Sequence, residues 1–152
     1  NLDHYPYYFH AKIGIPEGAF GRYFPAVATG IYDVGTEHNL TDFNIAYIKV
    51  AKTTFLGRFS LGYFTGNSEL LVDKEGNEDN AGIFAAWERV MNEISDRLWF
   101  CVEYMGTESS YGTWNFGVSY KFVEGVSVLL GYSNYHNNDL ADTFTIQIDI
   151  DF

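Results

Sequence analysis

The feature that most constrains this chain is an alternation of period two, repeated in stretch after stretch with almost no helical periodicity between. The alternation is bounded by Gly, Asn, Asp and Pro, which predicts strands joined by turns and loops. Nine strands are expected, roughly at 6–15, 25–35, 42–52, 57–66, 82–91, 97–107, 112–123, 126–136 and 142–152. In 112–123, Trp114, Phe116, Val118, Tyr120 and Phe122 oppose Asn115, Gly117, Ser119 and Lys121. In 97–107, Leu98, Phe100, Val102 and Tyr104 oppose Trp99, Cys101, Glu103 and Met105. In 6–15, Tyr7, Phe9, Ala11, Ile13 and Ile15 oppose Tyr8, His10, Lys12 and Gly14. In 57–66, Phe59, Leu61 and Tyr63 oppose Arg58, Ser60, Gly62 and Phe64. The segments 25–35, 42–52 and 82–91 alternate less cleanly; in 42–52, Lys49 falls on the face that Phe43, Ile45 and Tyr47 mark as apolar.

Strand length carries the next inference. Strands of about ten residues exceed the usual 5–6 of globular proteins, and a tilted strand crossing a bilayer needs about 9–11. The apolar faces are bulky, with aromatics toward their ends, whereas the other faces hold Gly, Ser, Asn and single charges. That distribution fits a surface turned toward lipid. A closed barrel would satisfy every backbone hydrogen bond there. The connections support it. "TTFLG" (53–57) and "VEG" (123–125) are short, while "TEHNLTD" (36–42), "GNSELLVDKEGNEDNAG" (66–82), "GTESSYG" (106–112) and "HNNDLAD" (136–142) are long and polar. Segments 16–25 and 91–97 are intermediate and spoil a perfect alternation.

Composition closes off other classes. A net charge of −11 with nine scattered basic residues argues against nucleic-acid binding, which needs clustered Lys and Arg. One cysteine, Cys101, cannot build a disulfide framework and reads as a small apolar filler beside Glu103. No apolar run reaches the roughly 20 residues of a membrane helix. "NLDHYPYYFH" lacks the basic region and apolar core of a signal peptide.

The C-terminal stretch "DTFTIQIDIDF" places Phe144, Ile146, Ile148, Ile150 and Phe152 on one face, against Thr145, Gln147, Asp149 and Asp151. It resembles the last strand of Gram-negative outer-membrane β-barrel proteins, and residues 96–152 look like the C-terminal part of porin-like members of that class. The resemblance implies an all-β, antiparallel up-and-down transmembrane β-barrel in one domain (1–152). It implies an integral outer-membrane location with lipid and lipopolysaccharide around it. It further implies that Phe144, Ile146, Ile148, Ile150 and Phe152 are read by the barrel-assembly machinery. With Phe152 at the periplasm, nine strands leave the first strand's start, near Tyr5, on the outside. Because such barrels have an even strand number, an odd number of upstream strands is expected, for a total of about 10–12.

The expected function is a porin-like passive channel or a structural membrane protein, with no cofactor. A homo-oligomer or a partner subunit is compatible with the pattern. Charges expected to line the interior are His10, Lys12, Arg58, Glu88, Glu103, Lys121, Asp149 and Asp151, either bordering a pore or filling it as ion-paired side chains. Asp73, Glu75, Asn77 and Asp79, spaced around Gly76, form a calcium candidate that lacks the distal Glu of a calcium loop. His4, His10, His38 and His136 have no metal-ligand spacing. No nucleophile–base pair stands out, so the chain is not expected to be an enzyme. The alternative is a secreted, lipocalin-like soluble barrel that binds a small apolar ligand.

Overall fold

The computed structural model describes residues 7–151, so Tyr5, His4 and Phe152 lie outside the described residues. It forms one antiparallel up-and-down sheet of nine strands, each paired with its sequence neighbours. These are β1 (Tyr8–Ile15), β2 (Ala26–Gly35), β3 (Ile45–Thr54), β4 (Gly57–Thr65), β5 (Ala81–Val90), β6 (Leu98–Met105), β7 (Thr113–Val123), β8 (Val126–Tyr135) and β9 (Thr143–Ile150). There is no helix among the described residues. Because the strand count is odd, β1 and β9 run in the same direction. They stand as the two free edges of the sheet and do not pair with each other.

One end of the sheet carries the tight turns Phe55–Leu56 and Glu124–Gly125 together with segments 16–25 and 91–97. Segments 36–44, 66–80, 106–112 and 136–142 gather at the other. At the tight end Gly125 takes φ 76, a backbone state that glycine adopts without steric cost. The third strand differs from expectation at both ends. Asn44 sits at φ 52 and donates its N–H to Asp33 O (3.0 Å), so Asp42 and Phe43 belong to the preceding loop. At its far end Thr53 pairs with Arg58 and Thr54 with Gly57, which shortens "TTFLG" to a two-residue turn. Thr54 secures that turn: its Oγ1 accepts from Leu56 N–H and donates to Gly57 O (3.1 and 3.0 Å).

Register places the large apolar residues in continuous rows on one face. One row runs Thr29–Ile48–Tyr63–Ile83 and another Val27–Val50–Leu61–Ala85–Tyr104–Trp114. Farther along, Val118–Leu130–Ile146 and Phe116–Tyr132–Phe144 continue the surface. None of the described residues covers it: Ile13 is 74% exposed, Leu61 55%, Ile146 73% and Phe144 83%.

The opposite face curls inward. Tyr111, from the β6–β7 loop, donates a hydrogen bond to the Asp33 carboxylate on β2 and packs against the Tyr32 ring at 6.2 Å. Those elements are four strand steps apart, about 19 Å on a flat sheet, so the contact requires strong curvature with this face on the concave side. A buried cluster of Ile45, Phe64 and Leu71 lies there, flanked by Tyr32, Phe43, Tyr47, Phe84, Met105 and Tyr111. This corrects the expectation for β3. Ile45 and Tyr47 face inward with Lys49, while Ile48 and Val50 carry the outer apolar surface.

Candidate functional site: a charged cavity on the concave face

Below the buried cluster the concave face holds a cavity of about 330 Å³. Its floor is made by small side chains: Ser60 pairs with Ala86 across β4 and β5, and neither fills the space above it. Its apolar shelf is Tyr47, Phe84 and Met105, with Phe84 and Tyr47 at 6.2 Å in an edge-on arrangement. Gly62 permits this. A Cβ there would come within 2.3 Å of Phe84 Cζ, so the ring lies directly over the glycine.

Four charged groups line the cavity: Lys49 and Arg58 from β3 and β4, and Glu88 and Glu103 from β5 and β6. The register dictates the sides, since cations come from one hairpin and carboxylates from the strands that follow. Arg58 Nε is 3.5 Å from Glu88 Oε1, and its Nη1 is 3.3 Å from Glu17 Oε2. Glu17 reaches in from the β1–β2 loop, where Lys52 Nζ (2.9 Å) and both the N–H and hydroxyl of Thr53 also donate to it. The Lys52 ammonium first, and Thr53 second, hold the Glu17 carboxyl down at about 2. Lys49 and Glu103 differ from Arg58 and Glu88: the side chain of neither makes a hydrogen bond or ion pair with another described residue.

The interior residues expected from the sequence divide into three groups. Arg58, Glu88 and Glu103 meet in the cavity. His10 and Lys12 lie on β1, an edge strand whose residues are all exposed. His10 faces the bulge at Tyr32 and Asp33, and its Nδ1 accepts the Asp33 N–H at 3.2 Å. Lys121 and Asp149 flank Ser127 toward the tight-turn end, with Asp149 accepting from Gln147 Nε2 at 2.6 Å. Asp151 donates its N–H to Gly125 O at 2.8 Å, where β9 ends.

Sequence reasoning missed Lys49, Tyr111, Asp33 and Glu17. The signal for Lys49 was present: Ile48 and Val50 on either side place it on the polar face. Tyr111 and Glu17 sit in loops, where no periodicity reports direction. Burial and the hydrogen bond to the Asp33 carboxylate push the Tyr111 phenol well above its usual range, so it remains a donor.

The long loops use their acids on their own backbone. Asp73 Oδ1 accepts from Glu75 N (2.9 Å) and Asn77 N (2.8 Å), and the Asn77 side chain also donates to this carboxylate, which lowers its pKa. Asp79 Oδ2 accepts from Glu108 N at 2.5 Å. Of the calcium candidates Asp73, Glu75, Asn77 and Asp79, two carboxylates are thus engaged with loop N–H groups. Among the described residues no three His, Cys, Asp or Glu side chains form a group that could hold a metal ion. Comparison of the chain with protein-family models, with curated proteins and with solved structures finds no match. The reading of function therefore rests on the chain's own geometry: a sheet with a bare apolar outside and a charged, partly filled inside.

Proposed function

We propose that this chain forms the wall of a transmembrane β-barrel in the Gram-negative outer membrane, acting as a porin-like passive channel with a constricted interior or as a structural membrane protein. The observation that carries this reading is the outer face. Rows of Ile, Leu, Val and Phe run across all nine strands without cover from any described residue, a surface that water opposes and lipid accepts. Aromatic residues flank its aliphatic middle. Tyr63, Tyr104, Trp114 and Tyr132 lie toward the long-loop end, and Phe59, Trp87 and Tyr120 toward the tight-turn end, the distribution of interfacial girdles. Strands of 8–11 residues match a tilted crossing.

A lipocalin-like barrel has the reverse polarity, with its bulky apolar residues on the concave side and polar residues outside. Here Ile13, Leu61, Leu130 and Ile146 would face water in that reading. Antiparallel closure between β1 and β9 takes an odd number of further strands, in keeping with a barrel of about 10–12. The long loops, rich in Asp and Glu, would face outward, where divalent cations bridge them to lipopolysaccharide. Phe144, Ile146, Ile148, Ile150 and Phe152 serve recognition by the assembly machinery, and no nucleic acid or cofactor is needed.

The three tryptophans test the reading. Trp87 and Trp114 lie on the outer face and Trp99 on the concave face. In vesicles containing brominated lipid, single-tryptophan variants retaining Trp87 or Trp114 should lose most of their fluorescence, while one retaining Trp99 should keep it. Fluorescence unaffected in all three, with the protein in a detergent-free soluble fraction, would sink the membrane reading. Conductance in planar bilayers then separates channel from structural element.

A further inference from the structure

We propose that the concave-face cavity binds a short zwitterionic peptide, a dipeptide with apolar side chains, its carboxylate on Lys49 and its ammonium on Glu103. The inference deepens the reading of this face as the barrel interior and rests on it. Four observations converge. The cavity's volume of about 330 Å³ is at the lower end of ligand sites, which span roughly 300–1,000 Å³. Its void is built rather than accidental: Ser60 and Ala86 leave the floor empty, and Gly62 lets the Phe84 ring lie flat along one wall. Its charges are segregated, with Lys49 and Arg58 on one side and Glu88 and Glu103 on the other. The Arg58–Glu88 pair satisfies itself, whereas the side chains of Lys49 and Glu103 each have no hydrogen-bond or ion-pair partner among the described residues.

The spacing selects the ligand. Lys49 on β3 and Glu103 on β6 are three strand steps apart, about 14 Å along a flat sheet, and curvature shortens the gap between their tips. A free amino acid carries both charges on one carbon and is too short to span it comfortably. A dipeptide separates its termini by two residues, which lets each terminus meet its counter-charge. Tyr47, Phe84 and Met105 offer an apolar, polarizable wall for its side chains. A purely anionic ligand would leave Glu103 unanswered, and a purely cationic one would leave Lys49 unanswered, since Arg58 and Glu88 already answer each other.

The test is titration of the detergent-solubilised protein with alanyl-leucine, followed by calorimetry. Alanyl-leucinamide, which lacks the carboxylate, and N-acetyl-alanyl-leucine, which lacks the ammonium, are the matched probes. Saturable binding of alanyl-leucine is expected, with each capped probe weaker by roughly tenfold because one charge-assisted hydrogen bond is lost. In Lys49→Met the difference between free and amidated peptide should vanish while discrimination against the acetylated one persists. Glu103→Gln should do the reverse. Should either variant fail to fold, Ser60→Leu, which fills the floor, should abolish binding without touching a charge. Absence of saturable binding, equal affinity for all three probes, or variants that keep the full discrimination would overturn the assignment. Failure of the membrane reading shows separately, as a protein soluble without detergent.

Discussion

The two ends of the sheet are held by different forces. At the long-loop end, segments 36–44, 66–80 and 106–112 fold over the concave face and bury Ile45, Phe64 and Leu71 completely. Thr107 and Ser109 are buried with them and satisfy each other at 3.0 Å. At the tight-turn end no comparable cluster is buried among the described residues. The β1–β2 loop is pinned there by a surface carboxylate, Glu17, shared among Lys52, Thr53 and Arg58, and by Lys52 Nζ donating to Arg22 O at 2.9 Å. Apolar burial and packing make one end a plug, and ionic contacts make the other a rim. Because both ends are built on the same strands, substitutions can weigh one against the other.

The largest effect is expected from the plug. Phe64→Ala empties the centre of the cluster and should lower stability by about 3–5 kcal/mol, as for other buried aromatic truncations, read as a shift in the denaturant midpoint of the protein in micelles. A shift no larger than that of a rim substitution would break the contrast between the ends. Next comes the outer surface midway between them. Leu130→Arg should cost about 2–4 kcal/mol for insertion near the bilayer midplane, measured by folding into vesicles. If Leu130 faced water the cost would be close to nothing.

Tyr111→Phe removes the phenol that ties the β6–β7 loop to Asp33 across the interior. It should cost about 1.5 kcal/mol, the low end for a hydrogen bond to a charged group because the pair is only half-buried. Faster amide exchange in 106–112, with the tight-turn end unchanged, would locate the loss at the plug.

The smallest effect belongs to the rim. The Glu17 carboxyl is held at about 2, below its ordinary 4.5. Its folded pKa is depressed, so its contribution is present above about 4.5 and is lost as pH falls toward 2. Protection of the Thr53 amide, whose N–H donates to Glu17, should fall over that acid window once exchange is corrected for its intrinsic pH dependence. Glu17→Gln should flatten the dependence, and high salt should mute it because the network is exposed. A pH-independent protection factor at Thr53 in the wild-type protein would remove Glu17 from the role assigned to it.

Strand number, strand order and the polarity of most faces were legible in the sequence. The reason is local: side chains alternate across a strand, so Trp114, Phe116 and Val118 had to share one face and Asn115, Gly117 and Ser119 the other. The same rule put Arg58, Glu88 and Glu103 on a common face before any register was known. It misled at β3, where Phe43, Ile45 and Tyr47 suggested an apolar outside. Those residues are apolar because loops cover them at the plug, not because they meet lipid. Periodicity alone cannot distinguish a residue buried under a loop from one facing a membrane.

The sequence by itself determined that this protein is an antiparallel sheet with one apolar and one polar side, since alternation and turn residues act over a few positions. Only the tertiary structure decided which side is concave, that β1 and β9 remain unpaired edges, and that Tyr111 reaches Asp33. It also decided that Lys49 and Glu103 share a cavity with the paired Arg58 and Glu88. These depend on register and curvature, which sum small twists over many strands, and on loops whose direction no local pattern records.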